Sequence, residues 1–315
     1  LESLLTSAGA ISRAGTVADG NTVSDFDEAE QKQERSVGLS VCAVDYKETR
    51  INFIDTPGYA DFAGEVGAGL RAADAALFVI TAKTGFDGNT RLLWEACAEI
   101  GMPRAIVVTK IDAPDTSAVA RVSELRAVLG SGVIAFEMPN GEDVIDLISL
   151  TVHHHAEGKH TATDAADAEK QLVEAERALL IEAIVSEADD DSLMEEYLSG
   201  EDLDAKAVRA DVVKALAHAK FFPVLFTRQN PVGYGIDEVL DLIVEGFPSP
   251  LQHSIPAVFT VGSDTPRELT AESAGPLVAE VIKTSSDPYL GRISIVRVFS
   301  GQLKSEDSVH VAGHF

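Results

Sequence analysis

The sequence predicts an α/β fold: a parallel sheet covered by helices, interrupted by a helical or α+β insertion and followed by the start of an all-β barrel. Three observations carry this. Short apolar runs rich in branched side chains alternate with helical periodicities in the first third of the chain. That rhythm lapses between Asp112 and Phe222, and beyond Ala257 helical periodicity disappears in favour of alternation.

The elements follow in order. Leu1, Leu4 and Leu5 open an amphipathic helix. Ser40–Tyr46 and Arg50–Ile54 flank Lys47-Glu48-Thr49, which predicts a hairpin whose first strand is an antiparallel edge. Ile51–Ile54, Ala76–Ile80 and Ala105–Val108 read as buried strands, separated by helices over Tyr59–Ala73 and Asn89–Ile100. The next strong strand, Phe222–Phe226, lies far beyond the roughly 30 residues of one strand-helix-strand unit. An inserted subdomain is therefore expected at about 113–221, with a strand at Val133–Glu137, a turn at Pro139–Gly141 and helices near Ala166–Val185, Ser192–Ser199 and Ala205–Ala219. Phe247-Pro248-Ser249-Pro250 ends a helix over Ile236–Glu245 and forms a rigid linker, since proline lacks a donor and restricts its predecessor. Leu277–Ile282 and Arg292–Phe299 then alternate as strands, with turns at Asp287–Gly291 and Ser300–Asp307. The expected domains are residues 1–250 and a truncated barrel over 251–315.

Composition excludes several function classes. With 51 acidic against 25 basic residues the net charge is -26, which disfavours nonspecific capture of DNA. No apolar run reaches the roughly 18 to 20 residues of a membrane span; Ala72–Ala82 is broken by Asp74. Two cysteines make no disulfide framework, and Leu1–Ser12 carries Glu2 and no basic residue, unlike a secretory signal, so a cytoplasmic protein is expected. Cys42, Cys97 and Trp94 read as packing residues. Because the chain opens at Leu1 without Met and stops at Phe315 after a strand-like segment, it is expected to be a fragment.

The chemistry gathers at strand ends. Asp55-Thr56-Pro57-Gly58 follows Ile51–Ile54, at the carboxyl end of a strand where open α/β sheets bind ligands. There Asp55 can hold a water on a magnesium ion, and the amide of Gly58 can donate to a phosphate oxygen because no side chain obstructs it; the same tetrapeptide also serves as a plain turn. Thr109-Lys110-Ile111-Asp112 follows Ala105–Val108. A carboxylate at Asp112 can accept from N1 and N2 of guanine, donors that adenine lacks, while the Lys110 stem lies along base or ribose.

In this order the motifs resemble those of translational GTPases, closest to elongation factor G and its elongation-factor-G-like bacterial paralogues, in which tyrosine follows Asp-Thr-Pro-Gly. Asp25–Leu39 resembles the first switch, Asp55–Tyr59 the second, Thr109–Asp112 the guanine motif and residues 113–222 the inserted subdomain. Ser286–Arg292 and Arg297–Gly301 resemble the opening of the barrel domain. The resemblance implies a P-loop GTPase-type sheet with its first strand missing, GTP or GDP and Mg2+ as ligands, and the ribosome as partner.

Departures from the family pattern bear on activity. The phosphate loop Gly-x-x-x-x-Gly-Lys-Ser/Thr occurs nowhere in the 315 residues, so this chain is expected not to hydrolyse GTP by itself. Gly38 stands where the family has a threonine serving magnesium and γ phosphate, with Ser36 and Ser40 as substitutes; Tyr59 replaces the water-orienting histidine, which implies slow turnover. Thr109 replaces an asparagine, and the last guanine contact falls near Thr227, Arg228 and Gln229. Two readings stay open, a ribosome-linked GTPase and a nucleotide-binding module with little hydrolysis. His153, His154, His155 and His160 are expected in a solvated loop rather than on a metal, because adjacent residues point apart and no cysteine or acidic partner has suitable spacing. The carboxylate run over 187–204 is expected to be a solvated helical face. Arg292 and Arg297 are expected either at ribosomal RNA or in barrel-surface salt bridges.

Overall fold

The computed structural model describes residues 1–156, 159–187, 191–199, 203–229, 233–252, 257–260 and 262–311. Helix α1 (Glu2–Ser7) and helix α2 (Glu28–Gln33) precede the antiparallel hairpin of β1 (Ser40–Tyr46) and β2 (Thr49–Asp55), paired from Ser40 opposite Asp55 to Tyr46 opposite Thr49. A short 3-10 turn leads into α3 (Ala63–Ala72). Then β3 (Ala76–Thr81), α4 (Gly88–Glu99), β4 (Arg104–Thr109), α5 (Ala118–Leu129) and β5 (Val133–Ala135) alternate as expected. The capping side chains are local: Asp87 accepts from the Thr90 amide to start α4, and Ser117 accepts from Ala120 to start α5.

The parallel sheet has the order β3-β4-β10-β5, where β10 is Phe222–Phe226. Ala105–Val108 of β4 and Val224–Phe226 of β10 are buried, as strands covered on both faces must be. Trp94 of α4 packs edge-on against Phe78 and Phe222, each with ring centroids 5.0 Å away, and Arg104 lies over its face. Cys97 is buried beside it, and burial pushes its thiol up to about 11.

The run Val133–Glu137 is not one strand. β5 ends at Ala135 in the parallel sheet, and β6 (Glu137–Asn140) begins a separate antiparallel sheet in the order β6-β7-β8-β9. The switch is made at Phe136, whose amide donates to Val224 and whose carbonyl accepts from Leu147, and the buried Glu137 carboxylate then accepts from the Phe226 amide. The turn also shifts: Pro139 sits within β6, an edge strand where its missing donor costs nothing, and β7 (Asp143–Asp146) follows Gly141-Glu142. The four-histidine segment is a hairpin, β8 (Thr151–Ala156) against β9 (Lys159–Asp164), and not a solvated loop. Val152 anchors one face in the core while Thr161 and Thr163 supply branched positions on the partner strand.

Helices α6 (Asp167–Ser186), α7 (Asp191–Ser199) and α8 (Ala205–Ala217) cover the sheets, with Val173, Leu180, Ile181 and Ile184 of α6 and Val208, Val212 and Leu216 of α8 buried at helical spacing. The carboxylate run falls partly outside the described residues. Helix α9 (Ile236–Gly246) follows β10 and buries Ile236, Val239, Leu240 and Leu242. The last strands are β11 (Val258–Phe259) against β12 (Pro266–Arg267) and the long hairpin β13 (Val278–Asp287) with β14 (Gly291–Ser300). This hairpin packs on α3 and the β1 entrance: Ile282 meets Leu39 and Ala72, the Lys283 ammonium donates to the Leu39 carbonyl at 2.5 Å, and Arg297 pairs with Asp74 through both nitrogens while donating to Ala72. Arg297 therefore belongs to a salt bridge.

β2 and β3 each keep one edge without a strand partner among the described residues. Between them lies a cleft of about 940 Å3, lined by Ile51–Gly58, by Ala76–Val79 and by apolar side chains of α1 and α9. No described helix is long and apolar enough to cross a membrane.

Candidate functional site

Two groups of residues stand at the carboxyl ends of the strands. The first is built on β4 and β10. Thr109 ends β4, and Lys110 turns the chain in the left-handed region at φ 59°. That turn returns Ile111 to β10, where its amide donates to the Thr227 carbonyl, and the Thr227 amide donates to Val108. Asp112 Oδ1 accepts from the Gln229 amide at 3.1 Å. Thr116 ties the loop by donating to the carbonyls of Ile111 and Ala113. Thr109, Lys110 and Asp112 are thus neighbours of Thr227, which is distant in sequence. The Arg228 guanidinium lies 4.4 Å from the Tyr234 ring centre and donates to the Gly141 carbonyl, so its side chain braces the turn between β6 and β7. Tyr234 is buried and donates to the Asp143 carbonyl.

The second group stands at the end of β2. Asp55 is partly buried, and burial pushes its carboxyl above the ordinary range, with the Ser24 hydrogen bond pulling back. Gly69 of α3 fits against Thr56 so closely that a Cβ would lie 2.8 Å from its methyl, which sets the loop on the helix. Gly58 faces open space, and its carbonyl accepts from the Asn89 amide nitrogen at 2.6 Å. Tyr59 is 55% exposed, with the Arg35 guanidinium 4.8 Å from its ring centre.

The segment before β1 is pinned by two carboxylates that sequence reasoning passed over. Glu30 is buried, closes the capping box of α2 with Asp27, and accepts from the amides of Val37 and Gly38, both at 3.1 Å. Glu65 accepts from the Leu39 amide at 2.8 Å. The Asp-x-x-Glu spacing of a capping box is visible in the sequence; the reach of Glu65 across 26 residues is not. Ser36 donates to Asp25, while the buried Ser40 hydroxyl has no hydrogen-bond partner among the described residues.

Residues 1–249 match the family model of the elongation factor Tu GTP binding domain. The chain is 45% identical over its full 315 residues to an elongation factor G-like protein of Mycobacterium tuberculosis, of which it covers 44%. It is 31% identical over 313 residues to elongation factor G of Mycoplasma pneumoniae, covering 96% of this chain and 45% of that protein. A crystal structure of a Thermus thermophilus protein superposes with a TM-score of 0.82 at 29% identity, over 97% of this chain and 44% of the other. The chain thus spans less than half the length of these relatives. A family match over most of the chain makes it a member of the elongation factor Tu GTP binding domain family.

Proposed function

We propose that this chain binds GTP and GDP across the ends of β2, β4 and β10, and that the longer protein couples hydrolysis to the ribosome. The observation that supports it most is the hydrogen-bonded junction of Lys110–Asp112 with Thr227–Gln229. There Asp112 would select guanine by accepting from N1 and N2, with Thr109 and Thr227 beside the base and the Lys110 stem along it. Gly58 would donate its amide to a terminal phosphate oxygen. Residues 1–250 would form the nucleotide-binding unit, with the insertion at about 113–221, and residues 251–315 would open a barrel.

The residues also fit Mg2+, a hard cation that takes oxygen ligands. Asp55 supplies a carboxylate, and the buried hydroxyl of Ser40, without a hydrogen-bond partner among the described residues, stands across from it in the β1–β2 register. Asp55 would hold the ion through a water, and the ion would neutralise phosphate charge. The family's phosphate loop is absent from the 315 residues, and β2 and β3, each without a strand partner on one edge among the described residues, flank a cleft that would receive a strand carrying it. This chain alone is therefore expected not to turn GTP over.

A second reading, nucleotide binding with little hydrolysis, is favoured by the first switch and Tyr59. Gly38 brings no hydroxyl, its amide is held by Glu30, and Tyr59 carries a phenol where the family has an imidazole. Phosphate release by the longer protein, with and without ribosomes, separates the two. Tyr59→His is expected to raise the rate about tenfold or more under the second reading; an unchanged rate removes water positioning as the deficit. In the same protein Asp112→Ala is expected to abolish preference for labelled GDP over ADP, and a retained preference would move guanine selection elsewhere.

A further inference from the structure

The hairpin β8–β9 places three imidazoles on one face. His153 and His155 are two apart on β8, and His160 stands opposite His155 in the register, whereas His154 points the other way to Asp143 and Thr163. This face lies on the first turn of α9, which contributes Glu238 from 78 residues beyond His160 in the chain. The acidic partner that sequence spacing did not offer is supplied by the fold. His153 Nδ1 is 2.8 Å from His160 Nε2 and 3.4 Å from Glu238 Oε1, and His160 Nε2 is 3.7 Å from the same oxygen.

Those separations suit one ion. Ligand atoms at about 2.0 to 2.1 Å from a tetrahedral Zn2+ stand roughly 3.3 to 3.4 Å apart, and the three observed values bracket that spacing. A second observation is independent of the histidines. The Glu238 side chain is only 10% exposed, yet its Oε2 has no hydrogen-bond partner among the described residues, an arrangement that costs free energy unless something positive meets it. The outer groups are also those a metal site uses. His155, 7% exposed, sits with Nε2 3.1 Å from Glu238 Oε1 and orients that carboxylate. Asp237 Oδ2 lies 3.7 Å from the other nitrogen of His160, and Asp237 itself accepts from Ser7.

We infer that His153 Nδ1, His160 Nε2 and a Glu238 carboxylate oxygen form a Zn2+ site, with a water completing the tetrahedron on the side of His160, the most exposed of the three ligands. Two nitrogens and one oxygen suit zinc and disfavour Mg2+ and Ca2+, which take oxygen. The ion would clamp the inserted sheet to α9, immediately behind Tyr234 and the loop that carries Thr227.

The test uses the full chain without an affinity tag, stripped with EDTA and titrated with ZnCl2 alone by calorimetry, and with Co2+ followed by its visible absorption. One Zn2+ per chain at low-micromolar affinity, a tetrahedral Co2+ spectrum and a raised unfolding midpoint are expected. His160→Ala removes the exposed ligand and is expected to weaken binding about tenfold or more with unchanged circular dichroism, while His154→Ala on the opposite face is expected to bind as the parent does. No saturable zinc binding, or equal binding by His160→Ala, overturns the site; equal loss from His154→Ala would show only diffuse histidine binding and overturns it as well.

Discussion

Two glycines meet different conformational demands in this protein. Gly235 begins α9 at φ +74°, and a Cβ there would lie 1.9 Å from the Phe226 carbonyl oxygen, a backbone atom that cannot swing aside. Gly235→Ala is expected to cost about 3 kcal/mol or more, from left-handed strain plus displacement of the loop after β10; a urea midpoint equivalent to less than about 1 kcal/mol would show that the loop shifts freely. A Cβ at Gly58 would meet nothing within 4 Å, so the fold holds this glycine through its carbonyl and leaves its Cα side open. The sequence alone cannot tell these apart. Asp-Thr-Pro-Gly and Thr-Lys-Ile-Asp were legible because their chemistry is local to a strand end. Glu65 and Asn89 were not, because each acts on backbone brought to it by tertiary packing.

At the scale of the element, local signals worked where one residue settles the geometry. Asp87 caps α4 by accepting from the Thr90 amide and hydroxyl, bonds that hold its carboxyl below the usual range. A depressed folded pKa gives stability that is present above the unfolded value of 3.8 and lost as pH falls through the folded one. Asp87→Ala is therefore expected to cost about 1 kcal/mol at neutral pH, with the difference vanishing on acidification well below 3.8; a pH-independent difference would point to helix propensity instead. Local signals failed where two sheets share one run. Val133–Phe136 is continuously apolar, and nothing in that pattern announces that the chain changes sheets at Phe136; the buried Glu137 carboxylate on the Phe226 amide does so. The β8–β9 hairpin was missed for a related reason, since three consecutive histidines hide the two-residue alternation that their neighbours keep.

For the whole molecule, the class, the helix-covered parallel sheet and the strands of the last segment could be read from periodicity, because burial on both faces leaves uninterrupted apolar runs and burial on one leaves alternation. The separation of β2 from β3 could not, since strand order is set by pairing and not by pattern. What joins the parts is a few charged contacts on a small apolar seam. Arg297 fixes the β13–β14 hairpin to Asp74, Arg71 meets Glu280, and Lys283 holds the Leu39 carbonyl one residue beyond Gly38. Lys283→Met keeps the stem and removes the ammonium. It is expected to increase proteolytic cutting between residues 25 and 39 several-fold with unchanged circular dichroism, and unchanged cutting would mean that Glu30 and Glu65 suffice.

That ammonium also ties the β13–β14 hairpin to the carbonyl one residue beyond Gly38. If a γ phosphate draws the segment around Gly38 inward, the Leu39 carbonyl moves with it, and the bond to Lys283 is either kept or broken by the same displacement. Linkage then runs both ways with one coupling factor: whatever tilts β13 and β14 on α3 alters the hold on nucleotide as much as nucleotide alters the tilt.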